Sequence, residues 1–468
     1  MNGLRLLQRL KKGDKMELSF LGAAGTVTGS KYLISHQNHR FMLDCGLYQG
    51  IKNLRERNWK SLPVSPKDIK CLLLTHAHLD HSGYIPALVK HGFRGKIFCT
   101  HATKSLARVL LPDSGFLQEE DARYANKRHF SKHSPALPLY TEKEAWKALE
   151  YFEPVDFHDD VNFLPGFKAQ FIPAGHILGA SSISIDGPAG KMVFSGDLGR
   201  PNDLIMRAPE AISQADYLIL ESTYGDRLHE SVDIPQLLAD IVNSTAEQGG
   251  IVLIPAFAVG RAQALLHLIQ ELKNTDRIPD LPVYLNSPMA ISATEIFCHY
   301  HHLHRLTPEQ CHAIDQGTQY VRTVEESIDL NQRKFPSIIV SASGMASGGR
   351  VLHHLKALLS DHRNSVVFAG FQAPGTRGDS LVNGAQQIKI HGQYYPVRAS
   401  IYQLDALSAH ADYDEILSWL ENFTAPPKHT FITHGEPLAS DALRLCIKDR
   451  LNWSVSVPEY QDKVTFPM

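Results

Sequence analysis

The sequence predicts an α/β protein in which two β-sheets are covered by helices and a second domain with a parallel sheet is inserted. Short apolar segments that alternate with polar turns begin at Met16, as expected for strands. After about Ala208 the pattern changes to strand–turn–helix units, which are typical of a parallel sheet. Short strands that end in histidine then return. We therefore expect one domain over residues 1–208 and 396–468, and an inserted domain over residues 209–395.

The first domain opens with four predicted strands, the last of which ends in a polar loop. Their sequences are MELSFLG, SKYLISH, RFMLDCG and IKCLLLTH. Residues 102–152 are predicted to be mostly helical, and strands return in KAQFIPAGH, SSISIDG, KMVFSGD and DYLILEST. Strands and helices in this order predict two sheets with helices on their outer faces.

The inserted domain repeats one plan three times. The segment GGIVLIPAFAVGRAQALLHLIQELK contains a buried strand, a turn with glycine, and a helix whose apolar positions keep helical spacing. The same plan recurs in SIIVSASGMASGGRVLHHLKALL and in SVVFAGFQAPGTRGDSL. Three such units predict a parallel, Rossmann-like sheet, in which ligands bind beyond the carboxyl ends of the strands.

The composition excludes several classes of protein. The 468 residues are 43% hydrophobic, which is enough for more than one globular unit. The formal net charge is -2, so the chain as a whole is not a basic nucleic-acid coat, and any polyanion site must be a local patch. Because no run of about 18 apolar residues occurs, we expect no membrane span.

The cysteines and the first residues predict a cytoplasmic protein. Six cysteines are scattered without a Cys-x-x-Cys pair, which favours reduced thiols over a disulfide framework or a thiolate zinc site. Residues 1–15 are short and basic, and they lack the apolar core of a signal peptide.

The loop LTHAHLDHSGYIP carries the densest group of candidate metal ligands. Alternate side chains of an extended segment point the same way, so His76 and His78 can bind one ion together. Asp80 and His81 then point toward a second ion. Imidazole and carboxylate ligands suit zinc, manganese or iron. The count of 25 histidines also hints at metal binding, since histidine is the commonest metal ligand. The alternative is a chance cluster of histidines on a surface loop.

Three more polar residues each follow an apolar, strand-like segment and stand next to glycine: His176, Asp197 and His434. Each alone is explained as a polar residue at the end of a strand. Together with the His76–His81 loop, and in this order, they resemble the metallo-β-lactamase superfamily, whose fold is an αββα sandwich.

The resemblance implies a role for each of these residues. His76, His78 and His176 would bind one metal ion, and Asp80, His81 and His434 would bind another. Asp197 would bridge both ions, and Asp44 would orient the ligand loop. The flavo-diiron branch has Glu where His78 stands, so two zinc ions are favoured over iron, while manganese stays open.

The long gap between two of the ligands narrows the resemblance. Asp197 and His434 are 237 residues apart, and the inserted domain fills that gap. This arrangement resembles the β-CASP group, whose members cut RNA or DNA. The segments ESTYGDR, FAVGRAQ, SGMASGGR and SAHAD are similar to bacterial and archaeal ribonucleases related to the endonuclease subunit of the pre-mRNA 3′-end cleavage factor. RNase J is a more distant relative whose C-terminal domain we expect to be absent here, and we expect no KH domain before the core.

The chemistry of phosphodiester cleavage gives two more residues a role. The reaction needs an activated water, neutralisation of the pentavalent anion and a proton for the leaving oxygen, and two metal ions supply the first two. In the resemblance, Glu221 matches the acidic motif and His410 matches the histidine that precedes the last ligand. We expect His410 to donate the proton, Glu221 to orient it, and the product to carry a 5′-phosphate. The expected catalytic residues are therefore Asp44, Asp80, Glu221 and His410. A structural hydrogen bond under the metal site is the alternative for His410.

Glycine-rich turns of the inserted domain predict contacts with the RNA backbone. Amide groups near a helix N-terminus attract phosphate, and an arginine can add a bidentate contact. The candidate substrate-binding residues are Ser343, Gly344, Arg350, Thr376, Arg377 and Arg261. Turn geometry for the glycines and solvated charge for the arginines are the alternatives.

Three functions stay open at this point. The first is a two-metal ribonuclease that acts on RNA as an endonuclease, an exonuclease or both. The second is another hydrolase of this fold, acting on DNA, a thioester, a lactone or a β-lactam, although the inserted domain would narrow access to an extended strand. The third is a non-catalytic RNA-binding subunit. A homodimer is plausible but rests on no motif.

Overall fold

The computed structural model describes residues 15–128, 131–229, 232–370, 372, 375–404 and 407–467. Internal contacts divide them into two compact units. The first contains the described residues up to Pro201, Ala208–Leu228 and the described residues from His410 onward. The second contains Asn202–Arg207 and His229–Ala409. The chain leaves the first unit and returns to it, as an inserted domain requires, and the bounds 208/209 and 395/396 stay a proposal.

One seven-stranded sheet of the first unit carries the predicted ligand loop. Its strands, numbered in chain order through the whole protein, are β1 (Met16–Phe20), β2 (Tyr32–His36), β3 (His39–Leu43), β4 (Cys71–Leu73), β5 (Lys96–Thr100), β6 (Phe152–Val155) and β22 (Lys463–Phe466). They lie in the order β22–β1–β2–β3–β4–β5–β6. The strands β3 to β6 are parallel and the others pair antiparallel.

A second seven-stranded sheet completes the sandwich. Its strands are β7 (Val161–Leu164), β8 (Phe167–Pro173), β9 (Ser181–Gly187), β10 (Gly190–Phe194), β11 (Tyr217–Leu220), β20 (His429–Ile432) and β21 (Val455–Ser456). They lie in the order β21–β20–β11–β10–β9–β8–β7, with β10, β11, β20 and β21 parallel.

Alternation along the strands explains why both faces of each sheet are buried. In β3, Phe41 and Leu43 belong to the aromatic core between the two sheets, whereas Met42 belongs to the core beneath the helices. Phe41 packs edge-on against Phe167 of β8, with ring centroids 5.1 Å apart. A sheet that is apolar on both faces requires helices on its outer side. The helices of this unit are α1 (Lys52–Arg57), α2 (Leu79–Ser82), α3 (Ile85–Lys90), α4 (His101–Arg128), α5 (Glu142–Leu149), α13 (Tyr413–Leu420) and α14 (Pro437–Leu451).

The second unit contains the predicted parallel sheet. Its strands are β12 (Ile251–Pro255), β13 (Val283–Asn286), β14 (Thr318–Tyr320), β15 (Ser337–Ser341), β16 (Ser365–Ala369) and β19 (Ser400–Leu404), in the order β14–β13–β15–β12–β16–β19. All their pairings are parallel. Its helices are α6 (Ile234–Glu247), α7 (Arg261–Asn274), α8 (Pro288–His299), α9 (Pro308–Gly317), α10 (Val324–Gln332), α11 (Val351–Leu358) and α12 (Arg377–Val382).

The three predicted strand–turn–helix units are confirmed as β12 with α7, β15 with α11 and β16 with α12. A feature that the sequence analysis did not predict is an antiparallel hairpin of β17 (Gln387–Ile390) and β18 (Gln393–Pro396). Among the described residues, no helix is both long and apolar enough to cross a membrane.

Candidate metal centre

The ligand loop follows the end of β4. His76 lies three residues beyond the strand, His78 precedes α2, and Asp80 and His81 lie in that helix. The other candidate ligands follow β8, β10 and β20 of the second sheet. Strand ends of both sheets thus bring residues from distant parts of the chain to one place on rigid elements.

Four side chains form a first group of converging ligand atoms: His76, His78, His176 and Asp197. The His78 Nδ1 atom lies 3.1 Å from His76 Nε2 and 3.2 Å from His176 Nε2. The Asp197 Oδ2 atom lies 3.5 Å from His76 Nε2 and 3.6 Å from His176 Nε2. His78 is partly exposed, and the other three side chains are buried.

A second group lies beside the first and consists of Asp80, His81 and His434. The two imidazole Nε2 atoms are 3.0 Å apart, and Asp80 Oδ2 lies 3.4 Å from that of His434. The other oxygen of Asp197, Oδ1, lies 3.2 Å from His81 Nε2 and accepts no hydrogen bond of normal geometry within the described residues. Asp197 therefore presents one oxygen to each group.

The spacing of these atoms fits tetrahedral metal ions. Ligands about 2.0–2.1 Å from a tetrahedral zinc ion stand about 3.3–3.4 Å from one another. The four separations given above for the first group run from 3.1 to 3.6 Å. A buried carboxylate oxygen without a hydrogen bond is costly unless a cation meets it. The donor set, the spacing and the Asp197 oxygen thus fit divalent cations.

The environment favours the metal-binding forms of His76, Asp80 and Asp197. Burial, followed by the charge of His81, holds the pKa of His76 well below its usual value, so the ring is neutral. Burial raises the pKa of Asp197, but the surrounding histidines outweigh it and hold that pKa well below the usual range. Burial likewise opposes the ionisation of Asp80, yet His434 and His81 lower its pKa to about 2. Neutral imidazoles and ionised carboxylates are the forms that ligate metal ions. His81 differs, because burial lowers its pKa but the Asp197 and Asp44 carboxylates outweigh this and hold it well above the usual value, so this ring must lose a proton to bind metal.

Asp44 contacts two residues of the ligand loop. Its Oδ2 atom accepts a hydrogen bond of 2.7 Å from His81 Nδ1, which turns the Nε2 lone pair of that ring toward the second group. Thr75, which the sequence analysis missed, donates to the same carboxylate through its amide at 2.8 Å and its hydroxyl at 2.9 Å. Its position directly before His76 was the only signal in the sequence.

Glu221 and His410 lie next to the ligands and contact each other. His410 Nδ1 is 3.2 Å from Glu221 Oε2, and the His410 ring centroid is 4.4 Å from that of His176. Burial lowers the pKa of His410, but the Glu221 carboxylate more than offsets this and raises it to about 8. Glu221 also accepts from the amides of Leu198 and Thr223, so it is fixed in place.

Thr223 is a second residue that the sequence analysis missed. Its hydroxyl lies 3.1 Å from His434 Nδ1 and 3.2 Å from the carbonyl oxygen of the same residue. It donates to the carbonyl and accepts from the ring, so the Nε2 atom of His434 is left for metal. The residue lies within ESTYGDR, a segment in which only the glutamate had been given a role.

The predicted phosphate-binding loops lie at the carboxyl ends of β15, β12 and β16, which are neighbours in the sheet of the second unit. Arg377 joins two of these loops, because its guanidinium donates to the carbonyls of Ala346 and Ser347. Thr376 caps α12 by accepting from the Asp379 amide, and Ser343 accepts from the Ser347 amide. These contacts position the loops.

Two further candidates of this set, Gly344 and Arg261, lie in the same loops. Gly344 packs closely on Phe257, where a Cβ atom would lie 3.0 Å from the Phe257 amide nitrogen, and Arg261 begins α7 with its guanidinium near Gly370. The expected phosphate contacts of all six candidates stay predictions.

Arg350 is turned toward its own unit. Its Nη1 atom donates to Asn286 Oδ1 at 2.8 Å and to the Val321 carbonyl at 2.9 Å, and Nη2 donates to the Arg322 carbonyl at 2.7 Å. The predicted contact between Arg350 and phosphate must compete with these three hydrogen bonds.

We expect Arg350→Ala to destabilise the second unit. The change leaves three acceptors without their donor, at a cost of about 1–2 kcal/mol for a partly exposed charged donor. Thermal unfolding followed by circular dichroism measures it. Arg363→Ala is the matched control, because Arg363 pairs with Asp361 on the surface and its loss should leave the midpoint unchanged. If Arg350→Ala kept full stability but bound RNA more weakly, its main role would be phosphate binding.

Family models match three consecutive parts of this chain. The model described as the metallo-beta-lactamase superfamily matches residues 24–233, and the Beta-Casp domain matches residues 262–381. The model of the Zn-dependent metallo-hydrolase RNA specificity domain matches residues 394–458.

Similar proteins occur in bacteria, archaea and plants. A ribonuclease of Thermus thermophilus is 34% identical over 431 residues, which cover 90% of this chain and 93% of that protein. An RNase J-like protein of Methanocaldococcus jannaschii is 30% identical and aligns over 94% of this chain and 97% of its own length. Subunit 3-I of the cleavage and polyadenylation specificity factor of Arabidopsis thaliana is 29% identical over 93% of this chain and 61% of its own.

A solved structure shares the fold. It is that of a protein of unknown function from Enterococcus faecalis, with a TM-score of 0.54 and 13% sequence identity. The superposition covers 96% of this chain and 100% of that one.

Proposed function

This chain belongs to the metallo-β-lactamase superfamily, in the group that carries a β-CASP domain, and from that premise we propose that it is a metal-dependent ribonuclease. Its reaction is the hydrolysis of RNA phosphodiester bonds. The observation that carries the proposal is the pair of ligand groups that share Asp197, with Glu221 and His410 beside them. Its similarity to a bacterial ribonuclease along 90% of the chain supports RNA as the substrate.

We propose two zinc ions as the cofactor, with manganese as the alternative. His76, His78 and His176 would hold one ion, and Asp80, His81 and His434 the other, with Asp197 between them. The donors are mostly imidazole, which suits zinc. Such ions lower the pKa of water and neutralise charge on a phosphoryl group.

Side chains of the protein supply the proton for the leaving group and orient the His410 and His81 rings. His410 carries the proton that the departing 3′ oxygen needs, and Glu221 holds the ring by accepting from its Nδ1 atom. Asp44 and Thr75 hold His81 in the required orientation. Cleavage of the bond between phosphorus and the 3′ oxygen leaves a 5′-phosphate on the downstream product.

Labelled substrates test the function directly. RNA labelled at the 5′ end and RNA labelled at the 3′ end are incubated with the protein, beside DNA of the same sequence. We expect cleavage of RNA and 5′-phosphate products, and the two ladders report whether cutting is internal or starts at an end. Uncut RNA in the presence of zinc or manganese would overturn the proposal.

Metal removal should abolish activity and lower stability together. Ions that bind only the folded chain stabilise it by mass action, so a chelator should lower the midpoint of thermal unfolding. Elemental analysis before chelation should find two zinc ions per chain, and activity should return when zinc or manganese is added to the stripped protein. Full cleavage by protein shown to hold no metal would contradict the assignment.

We also propose that the protein is cytoplasmic, because all six cysteines are free thiols. The homodimer stays a prediction that light scattering coupled to size-exclusion chromatography can test.

A further inference from the structure

The hairpin of β17 and β18 has one buried face and one exposed face. Ile388 and Ile390 are buried in the core of the second unit. Lys389 and Tyr394 form a cross-strand pair on the other face, and Tyr394 is 62% exposed. The core of this unit therefore does not require the Tyr394 ring, and burial does not explain an aromatic side chain there.

A cation lies beside each of the two tyrosine rings of the hairpin. On the exposed face, the Lys389 ammonium lies 5.6 Å from the centroid of the Tyr394 ring. Tyr395 shares the other face with its cross-strand partner Ile388 and is partly buried, and the Lys356 ammonium lies 5.8 Å from its ring. The His391 and His353 rings are 5.3 Å apart. We call these six residues the hairpin patch: His353, Lys356, Lys389, His391, Tyr394 and Tyr395.

The hairpin patch is positive in a chain whose net charge is slightly negative. The sequence has no Asp or Glu over residues 330–360 or over residues 380–404, and these stretches contain the whole patch. Burial and then the cations around it, among them Lys356 and Arg377, lower the pKa of His391, in agreement with a positive local potential. The carboxylate of Asp379 is held in the α12 turn by the Gly375 amide and the Asn383 side chain.

We propose that the hairpin patch is an accessory binding surface for single-stranded RNA. Exposed aromatic rings beside cations are what single-stranded nucleic acids bind, because bases stack on the rings and phosphates meet the charges. Stacking uses the face of any base, so the patch binds without sequence preference. This proposal rests on the proposed function, since it adds a second RNA-binding surface to a ribonuclease.

Binding of an uncleavable RNA tests the patch. The probe is a fluorescent single-stranded phosphorothioate RNA of about 12 nucleotides, within the span of single-strand sites of this kind. Fluorescence anisotropy with the metal-loaded full chain gives the dissociation constant. We expect Tyr394→Ala to weaken binding about 5- to 150-fold, the loss that corresponds to one stacked base. Tyr394→Phe keeps the ring and should bind like the natural protein.

Salt dependence tests the charge separately. Lys389→Gln removes one phosphate contact, so the slope of log K against log salt concentration should fall by about 0.7. Tyr394→Ala should leave that slope unchanged.

A matched control lies on α4 of the first unit. Tyr124 is 54% exposed, and the Arg128 guanidinium lies 5.7 Å from its ring, but Glu119, Glu120 and Asp121 precede it. Tyr124→Ala should therefore leave RNA binding unchanged. If Tyr394→Ala bound RNA normally, or if Tyr124→Ala lost as much, the patch would not be an RNA surface. If the natural protein failed to cut RNA, the proposed function would fall, whereas the binding contrast between the two tyrosines would still decide the patch.

Discussion

Asp80→Ala is expected to remove bound metal and RNA cleavage together. Asp80 Oδ2 lies 3.4 Å from His434 Nε2 and 3.9 Å from His81 Nε2, so its carboxylate completes the second ligand group. Changes to residues that merely orient ligands cost about 10–100-fold in metal affinity or activity, and loss of a ligand should cost more. Asp44→Asn should fall within that smaller range, because Asp44 acts through His81.

Elemental analysis and RNA cleavage measure this effect in the same preparation. Asp68→Ala is the matched control, since Asp68 is an exposed aspartate of the same unit that pairs with Arg40 on the surface. It should keep both metal and activity. If Asp80→Ala kept its full metal content and full activity, the second site as assigned would be wrong. A loss of metal with a normal circular dichroism spectrum excludes simple unfolding.

The fold was predictable where the pattern is local. The apolar run Phe41–Leu43 of β3 and the strand–turn–helix units of the second unit are each visible within about 25 residues of sequence. The candidate ligands were equally visible, because each follows an apolar strand and strand ends meet at the edge of a sheet. Short polar side chains that orient ligands gave no such signal. Thr75 and Thr223 look like ordinary strand-end residues until Asp44 and His434 are placed against them.

Contacts between distant parts of the chain set the limit of prediction. Arg350 has the position of a phosphate-binding residue beside a glycine-rich turn. Its guanidinium, however, donates to Asn286, 64 residues earlier in the chain, and to the Val321 carbonyl just after β14. Only the folded parallel sheet brings these acceptors to the guanidinium.

Lys31 shows the same limit in the first unit. A lysine is expected at the surface, yet this one is 3% exposed, and its ammonium donates to the Gly46 carbonyl. The ammonium also lies 4.7 Å from the Tyr48 ring and 4.9 Å from the Tyr84 ring. Burial lowers its pKa to about 8. Gly46 packs on the backbone of Asp80, so the hydrogen bond from Lys31 stabilises the segment that lies against the ligand loop. No local sequence pattern predicts this contact.

His410→Ala is expected to separate proton donation from metal binding. A ribose 3′ oxygen is a strong base when it leaves, so it needs a proton in the transition state, whereas a nitrophenolate does not. The His410 variant should therefore keep its metal and hydrolyse an activated aryl phosphodiester at nearly the normal rate. On RNA it should lose about 10²–10⁴-fold, the usual span of general acid catalysis.

Glu221→Gln should show the same pattern with a smaller loss on RNA. His410 Nδ1 would keep a hydrogen-bond acceptor near its present 3.2 Å contact, but the negative charge that favours its protonated form would be gone.

His101→Ala is the matched control, because His101 is an exposed histidine of the same unit, 3.8 Å from Asp156, and its loss should not change the rate on either substrate. Metal content and the ratio of the two rates are measured for each variant. If His410→Ala lost rate equally on both substrates, or lost metal, then His410 would act as a ligand or as a structural support of His176, whose ring it contacts. Only a loss of rate that is confined to RNA, the substrate with the poor leaving group, assigns His410 the role of proton donor.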